Sequence, residues 1–218
     1  MRFDLGACDA VLFDMDGTLV DTESLWIEAV LGVAAELGAD PLDRARLIGG
    51  TVASIVAVVG AATGGRHAAA DLDRWIDQAV KAKIAEVGVR LRPGARRLLD
   101  DLIAAGVPCA LVTSSGRADT EIILDVLGRT AFAATVTADD VPRHKPDPLP
   151  YATAAALLGV DPARCVAIED SLAGLAAAEG AGCTTVAVPH LQDIPDAPGR
   201  HVLTSLEDVT VTPVKVTR

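Results

Sequence analysis

Short apolar runs alternate with stretches of helical periodicity along nearly the whole chain. The first run, Ala10-Val11-Leu12-Phe13, reads as a buried strand. From Thr22 to Leu37 apolar residues recur at helical spacing (Leu25, Ala29, Leu31, Val33, Leu37), and Gly38 can stop that helix. Leu42 to Ile48 predicts a second, short helix. Gly49-Gly50 breaks it, and Thr51 can cap a third helix running to Val59. After a Thr63-Gly64-Gly65 loop, Ala69 to Glu86 predicts another helix, with Leu72, Trp75, Ile76 and Val80 on one face; at that spacing Trp75 reads as core. Thr22 to Gly88 is therefore an all-helical stretch, inserted between the first and second strands of a sheet.

From Arg92 the pattern becomes regular. Pro93 suits the first turn of a helix whose apolar face is Leu98, Leu99, Leu102 and Ile103, and Gly106 ends it. Strands follow at Pro108–Val112, Ala133–Thr137, Cys165–Ile168 and Thr184–Val188, with a further candidate at His201–Leu203. Helices at Asp119–Leu127, Pro148–Leu158 and Ser171–Glu179 separate them. Strand alternating with helix implies an α/β fold, a doubly wound, Rossmann-like parallel sheet covered on both faces. The predicted division is a sheet domain from residues 1–20 and 91–218 and a helical cap from 21–90, with hinges near Val20-Asp21 and Val89-Leu91. The Val209–Arg218 tail alternates Val with Thr, a pattern open to an edge strand or to disorder.

Composition narrows the function. A formal charge of −11 and 3% aromatic residues give neither the basic footprint nor the stacking platform of a nucleic-acid binder. Anionic membranes would repel such a chain, and no run is apolar enough to span a bilayer. The start Met1-Arg2-Phe3-Asp4 lacks a signal-peptide core. Cys8, Cys109, Cys165 and Cys183 show no C-x-x-C spacing and read as plain buried thiols in a reducing cytosol. A small anionic substrate is still allowed, because a bound cation can reverse the local sign, and the chain is expected to be a cytoplasmic monomer or weak dimer.

Polar groups gather at the ends of the predicted strands: Asp14 and Asp16, then Thr113-Ser114-Ser115, Lys145, and Glu169-Asp170. In a doubly wound sheet those ends converge on one crevice. Each alone has an ordinary reading, as a helix cap, a surface lysine or a helix N-terminal charge pair. Together, in this order, they suggest phosphoryl transfer to a carboxylate. Asp14 is the candidate nucleophile and Asp16 the candidate general acid and base. A hard cation, Mg²⁺, would be held by Asp14, Asp170 and the backbone carbonyl of Asp16. Thr113 and the amides of Ser114 and Ser115 would meet phosphoryl oxygens, and Lys145 would sit between phosphate and Asp14. No G-x-x-x-x-G-K-[ST] loop is present. The four histidines have no metal-ligand spacing.

The set DMDGTLVD, VTSS, HKPDP and IEDSLAGLAAAEGAG closely resembles the haloacid dehalogenase-like superfamily. The helical insertion after the first motif is similar to the cap of its β-phosphoglucomutase and sugar-phosphatase branch, and DTESLW to the start of that cap in hexose- and hexitol-phosphate phosphatases. The resemblance implies the roles above for Asp14, Asp16, Thr113, Lys145 and Asp170, with Glu169 joining the metal-site acids. Asp16, absent from true haloacid dehalogenases, argues against carbon–halogen hydrolysis. The β-phosphoglucomutases carry a cap histidine near Trp26 and a cap arginine near Ala53, so the resemblance favours a phosphatase over a mutase. Glu23, Trp26, Gly49, Gly50 and Thr51 are the candidates for substrate selection, although Trp26 also reads as cap core and Gly49-Gly50 as a turn. The alternatives are a β-phosphoglucomutase-like phosphotransferase and, from another class, a phosphoacceptor signalling module that keeps its phosphate.

Overall fold

Four consecutive apolar side chains are stable only if both faces of their strand are covered, and Ala10–Phe13 is buried at every position. The computed structural model describes residues 2–6, 8–48 and 52–212. In chain order its strands are β1 Phe3–Asp4, β2 Ala10–Phe13, β3 Cys109–Val112, β4 Ala134–Val136, β5 Cys165–Glu169, β6 Thr184–Ala187, β7 Arg200–Val202 and β8 Val209–Thr210. Its helices are α1 Thr22–Glu36, α2 Val52–Ala62, α3 Ala69–Val87, α4 Ala95–Ala105, α5 Arg117–Leu127, α6 Leu149–Leu158 and α7 Leu172–Ala181.

Six strands pair in parallel in the order β4-β3-β2-β5-β6-β7. The chain winds outward from β2 through β3 to β4, then crosses back to β5 on the other side. The order therefore reverses at β2, the switch point where such sheets open a crevice. On one face Ala10, Leu12, Ala110, Val112, Cys165 and Ala167 pack against Tyr151, Ala154 and Ala155 of α6 and Ala177 and Ala178 of α7. The alanines let these helices lie close to the sheet. On β2 the alternate side chains, Val11 and Phe13, are equally buried, and Phe13 meets Phe132 edge to face at 6.5 Å.

The chain divides into two compact units, Met1–Val20 with Leu91–Arg218, and Asp21–Arg90. In the first unit the chain leaves and returns through a short tie: Val20 bridges Leu91, and the Arg92 amide donates to the Leu19 carbonyl at 2.9 Å. In the second unit α1 packs on α3, with Leu25, Ile27, Val30, Ile55, Val59, Leu72 and Ile76 buried. Asp21 caps α1 by accepting from the Ser24 amide at 3.3 Å.

Several expectations are corrected. Leu42–Ile48 yields only one 3₁₀ turn at Arg44–Arg46, because Asp43 caps locally, accepting from the Ala45 amide, and no longer apolar face follows. Pro93 lies before its helix rather than in the first turn, since Gly94, in the left-handed region, is the N-cap. Trp75 is half-buried, set edge to face against His67 at 5.4 Å and lining an open groove between α1 and α3. Helical spacing places a residue on a face; it does not set its depth. One strand, β1, escaped the pattern because it is only two residues long; it pairs in parallel with β8, so of the two readings of the tail the strand holds at Val209–Thr210, whereas residues 213–218 lie outside the described residues.

All four cysteines are free; Cys109, Cys165 and Cys183 are buried as expected, whereas Cys8, just before β2, is only half-buried. Burial pushes the Cys109 and Cys183 thiols up to about 12 and Cys165 up to about 11. At pH 8 a thiol reagent such as Ellman's should therefore titrate only Cys8 promptly in the folded protein and all four after denaturation. Prompt reaction of a second thiol would show that the sheet interior opens.

Candidate active site

The parallel register brings distant residues level with one another. Phe13 stands opposite Leu111 on β3 and Ile168 on β5, so the residues that follow each strand emerge on one edge of the sheet. Asp14 leaves β2 with its amide bonded to the Ile168 carbonyl, Thr113 leaves β3 bonded to the Val136 carbonyl, and Glu169 is the last residue of β5.

Lys145 ties these ends together. Its ammonium donates to Asp14 Oδ1 at 2.6 Å, to Glu169 Oε1 at 2.7 Å and to the Val112 carbonyl at 2.9 Å. Those three bonds use every proton that a lysine carries. The side chain is only 6% exposed, so the surface-lysine reading fails. Burial pulls the Lys145 ammonium down, but the charges of Asp14 and Glu169 outweigh it and hold the group above its ordinary range.

Asp16 points elsewhere. Its carboxylate accepts from Ser115 Oγ at 2.7 Å and Thr113 Oγ1 at 3.3 Å, so Asp16 shares the site without joining the tight acid cluster. The sequence reading gave the cation the backbone carbonyl of Asp16, and its side chain, turned to Ser115 and Thr113, leaves that assignment open to proposal. The Ser115 amide donates to Thr113 Oγ1 at 3.0 Å within its own turn, and Ser114 is exposed beside it. Gly17 follows with φ of +85°, and a Cβ there would lie 2.0 Å from Asp170 Oδ2. Only glycine permits both the turn and the approach of Asp170.

Asp14, Glu169 and Asp170 present carboxylate oxygens that all lie within 4.8 Å of one another, and all three residues are buried. Against them stands one buried lysine. Asp14 Oδ2 is buried and has no hydrogen-bond partner. Burial, then the charge of Glu169, pushes the Asp14 carboxyl up to about 7 against the opposing pull of Lys145. A bare carboxylate oxygen among surplus acids suits a hard, oxygen-binding divalent cation.

The cap candidates belong to the Asp21–Arg90 unit. Glu23 and Trp26 lie in the first turns of α1, in the second unit, and both are half-buried. Gly49, Gly50 and Thr51 lie outside the described residues. His144 is exposed.

Two residues were missed. Tyr151, on α6, donates to Glu169 Oε1 at 2.8 Å; its only signal was being the single tyrosine of the chain, six positions after Lys145. Gly174 sits in the first turn of α7, and a Cβ there would come within 1.7 Å of Glu169 Oε1 and 1.9 Å of Cδ. The alanine-rich run around it read as helix alone. Gly174→Ala should destabilise the protein by about 1–3 kcal/mol by overpacking, whereas Gly32→Ala, in a helix with open space around it, should stabilise by about 0.5–1 kcal/mol. Urea midpoints of the two variants check this; equal midpoints would count against a filled Glu169 pocket.

The sequence model of the haloacid dehalogenase-like hydrolase family matches residues 11–188. Hexitol phosphatase A of Escherichia coli strain K12 is 36% identical over 208 residues, 94% of either chain. The phosphoglycolate phosphatase of Chromobacterium violaceum is 33% identical over 82% of this chain and 84% of its own. The crystal structure of CbbY from Rhodobacter sphaeroides in complex with phosphate superposes with a TM-score of 0.75 and 32% identity, covering 91% of this chain and 95% of that one. With the acids and the lysine of its motifs gathered on one edge of the sheet, and relatives this similar along most of its length, the chain belongs to the haloacid dehalogenase-like hydrolase family.

Proposed function

We propose that this hydrolase is a Mg²⁺-dependent phosphatase acting on a small phosphorylated metabolite, a sugar or polyol phosphate, through an aspartyl-phosphate on Asp14. The observation that carries the reading is Asp14 itself. One oxygen is held by Lys145, the other is buried and bare, and the residue offers a carboxylate oxygen within 4.8 Å of oxygens of Glu169 and Asp170. The phosphatases among the relatives, hexitol phosphatase A in particular, support the class of substrate.

In this reading a carboxylate oxygen of Asp14 attacks phosphorus and the ester P–O bond breaks. The leaving alkoxide takes a proton from Asp16. Asp16, now ionised, takes a proton from water as that water attacks the phosphoryl group, and phosphate leaves with Asp14 restored. The Ser115 and Thr113 hydroxyls aim the Asp16 carboxylate for both transfers. Lys145 offsets the mutual repulsion of Asp14 and the phosphoryl oxygens. Asp14, Asp170 and the Asp16 carbonyl, with Glu169 beside them, would hold Mg²⁺, which when bound would supply further charge neutralisation. Glu23 and Trp26, with Gly49, Gly50 and Thr51, remain the proposed selectors of the substrate.

Asp14→Asn should lower phosphate release by at least about 10³-fold while leaving the circular dichroism spectrum unchanged. A panel of sugar, polyol and glycolate phosphates should give free phosphate over many turnovers without any sugar bisphosphate added. A single burst would indicate a phosphate-storing module, and isomerised product dependent on bisphosphate would indicate a mutase. Magnesium binding should also be coupled to a proton. Below about pH 7, where Asp14 holds its proton, affinity should fall by about tenfold per pH unit, with about one proton released per ion. Calorimetry at pH 6 and pH 8 in two buffers measures both; a pH-independent affinity would remove Asp14 from the cation site.

A further inference from the structure

Tyr151 is the single tyrosine of the chain and is completely buried, among the alanines that seat α6 on the sheet. Packing does not require its hydroxyl, because phenylalanine would fill the same space. A buried phenol must still find a partner. This one donates to Glu169 Oε1 at 2.8 Å, and its ring lies 5.1 Å from Lys145 Nζ.

The other donors around Glu169 give that bond its meaning. Oε1 also accepts from Lys145 at 2.7 Å. Oε2 accepts from the Asp170 amide at 3.1 Å, the Ser171 amide at 3.2 Å and Ser171 Oγ at 3.0 Å. Five donors thus converge on a carboxylate that offers about four lone-pair directions. Lys145 in turn has all three protons engaged, so it can turn one to a phosphoryl oxygen only by loosening an existing bond. Its grip on Glu169 depends on how much negative charge Oε1 retains. A second donor on the same oxygen competes for its lone pairs and so weakens that grip.

We propose that Tyr151 is a positioning residue for hydrolysis: its hydroxyl shares Glu169 Oε1 with Lys145, so that Lys145 stays centred on Asp14 and can release a donor to the phosphoryl group. The inference rests on the phosphatase reading above. Without the hydroxyl, Lys145 would be the sole donor on Oε1, drawn toward Glu169 and away from Asp14. Because Lys145 faces the phosphoryl group as its charge shifts, the loss should fall on kcat more than on KM.

Tyr151→Phe, compared with wild type on the best substrate of the panel, should lower kcat about tenfold with KM changed less than about twofold. In a Lys145→Met background the same replacement should cost less than about twofold, because the group through which Tyr151 acts is gone. An equal loss in both backgrounds, or a folded Tyr151→Phe protein with full kcat, would overturn the proposal. Fluorotyrosine labels this one position without mutation, which covers the case of a variant that does not fold. The ¹⁹F resonance should move when Mg²⁺ and orthophosphate are added together, and a stationary resonance in an active labelled protein would also overturn it. A wild-type protein that releases no phosphate from any ester would defeat the phosphatase reading first, and this inference with it.

Discussion

The candidate site depends on one buried ammonium. Lys145 lies between Asp14 and Glu169, 2.6 Å from one and 2.7 Å from the other, in a place that water barely reaches. Burying two carboxylates and a lysine is costly unless each proton and lone pair has a partner. Lysine meets that condition with three bonds, and Glu169 with five donors. Asp14 does not, since one of its oxygens is bare. The shortfall is local and lies where the chemistry of the family is expected, which is where native proteins tend to leave a local rule unsatisfied.

The backbone makes room for this arrangement with glycine at two points. Gly17 admits the Asp170 carboxylate and Gly174 admits that of Glu169; a methyl group at either would overlap its acid. Both lie beside the acids they serve, one after the first strand motif and one in the first turn of α7. The alanines of α6 and α7 do similar work on a larger scale, letting the helices close over the sheet so that Tyr151 reaches Glu169 from the core side. The site is held from the core side by packing.

Much of this was legible along the chain. Apolar runs bounded by glycine and proline marked the main strands within a residue or two, and the polar residues just beyond them marked the site. Lys145 was legible only in company, because a lone lysine after a histidine reads as solvated. Errors arose where local chemistry competed with pattern. Asp43 turned an expected helix into a single 3₁₀ turn, and Trp75 lay on the right face of its helix but at the wrong depth. The two-residue strand β1 carries too little periodicity to be seen, and the alternation of the tail did not say that β8 pairs with it across nearly the full length of the chain.

The order of strands and helices, the acids at the ends of β2 and β5 and the family itself are properties of the sequence, because periodicity and motif spacing are local. Which oxygen of Asp14 meets Lys145, that Asp16 turns to Ser115 and Thr113, and that Tyr151 touches Glu169 at all were decided by the tertiary structure. Residues 14, 115, 145, 151 and 169 become neighbours only after parallel strands align in register and two helices pack on one face. No local pattern encodes that convergence: it follows from the requirement that β2, β3 and β5 bury both of their faces at once.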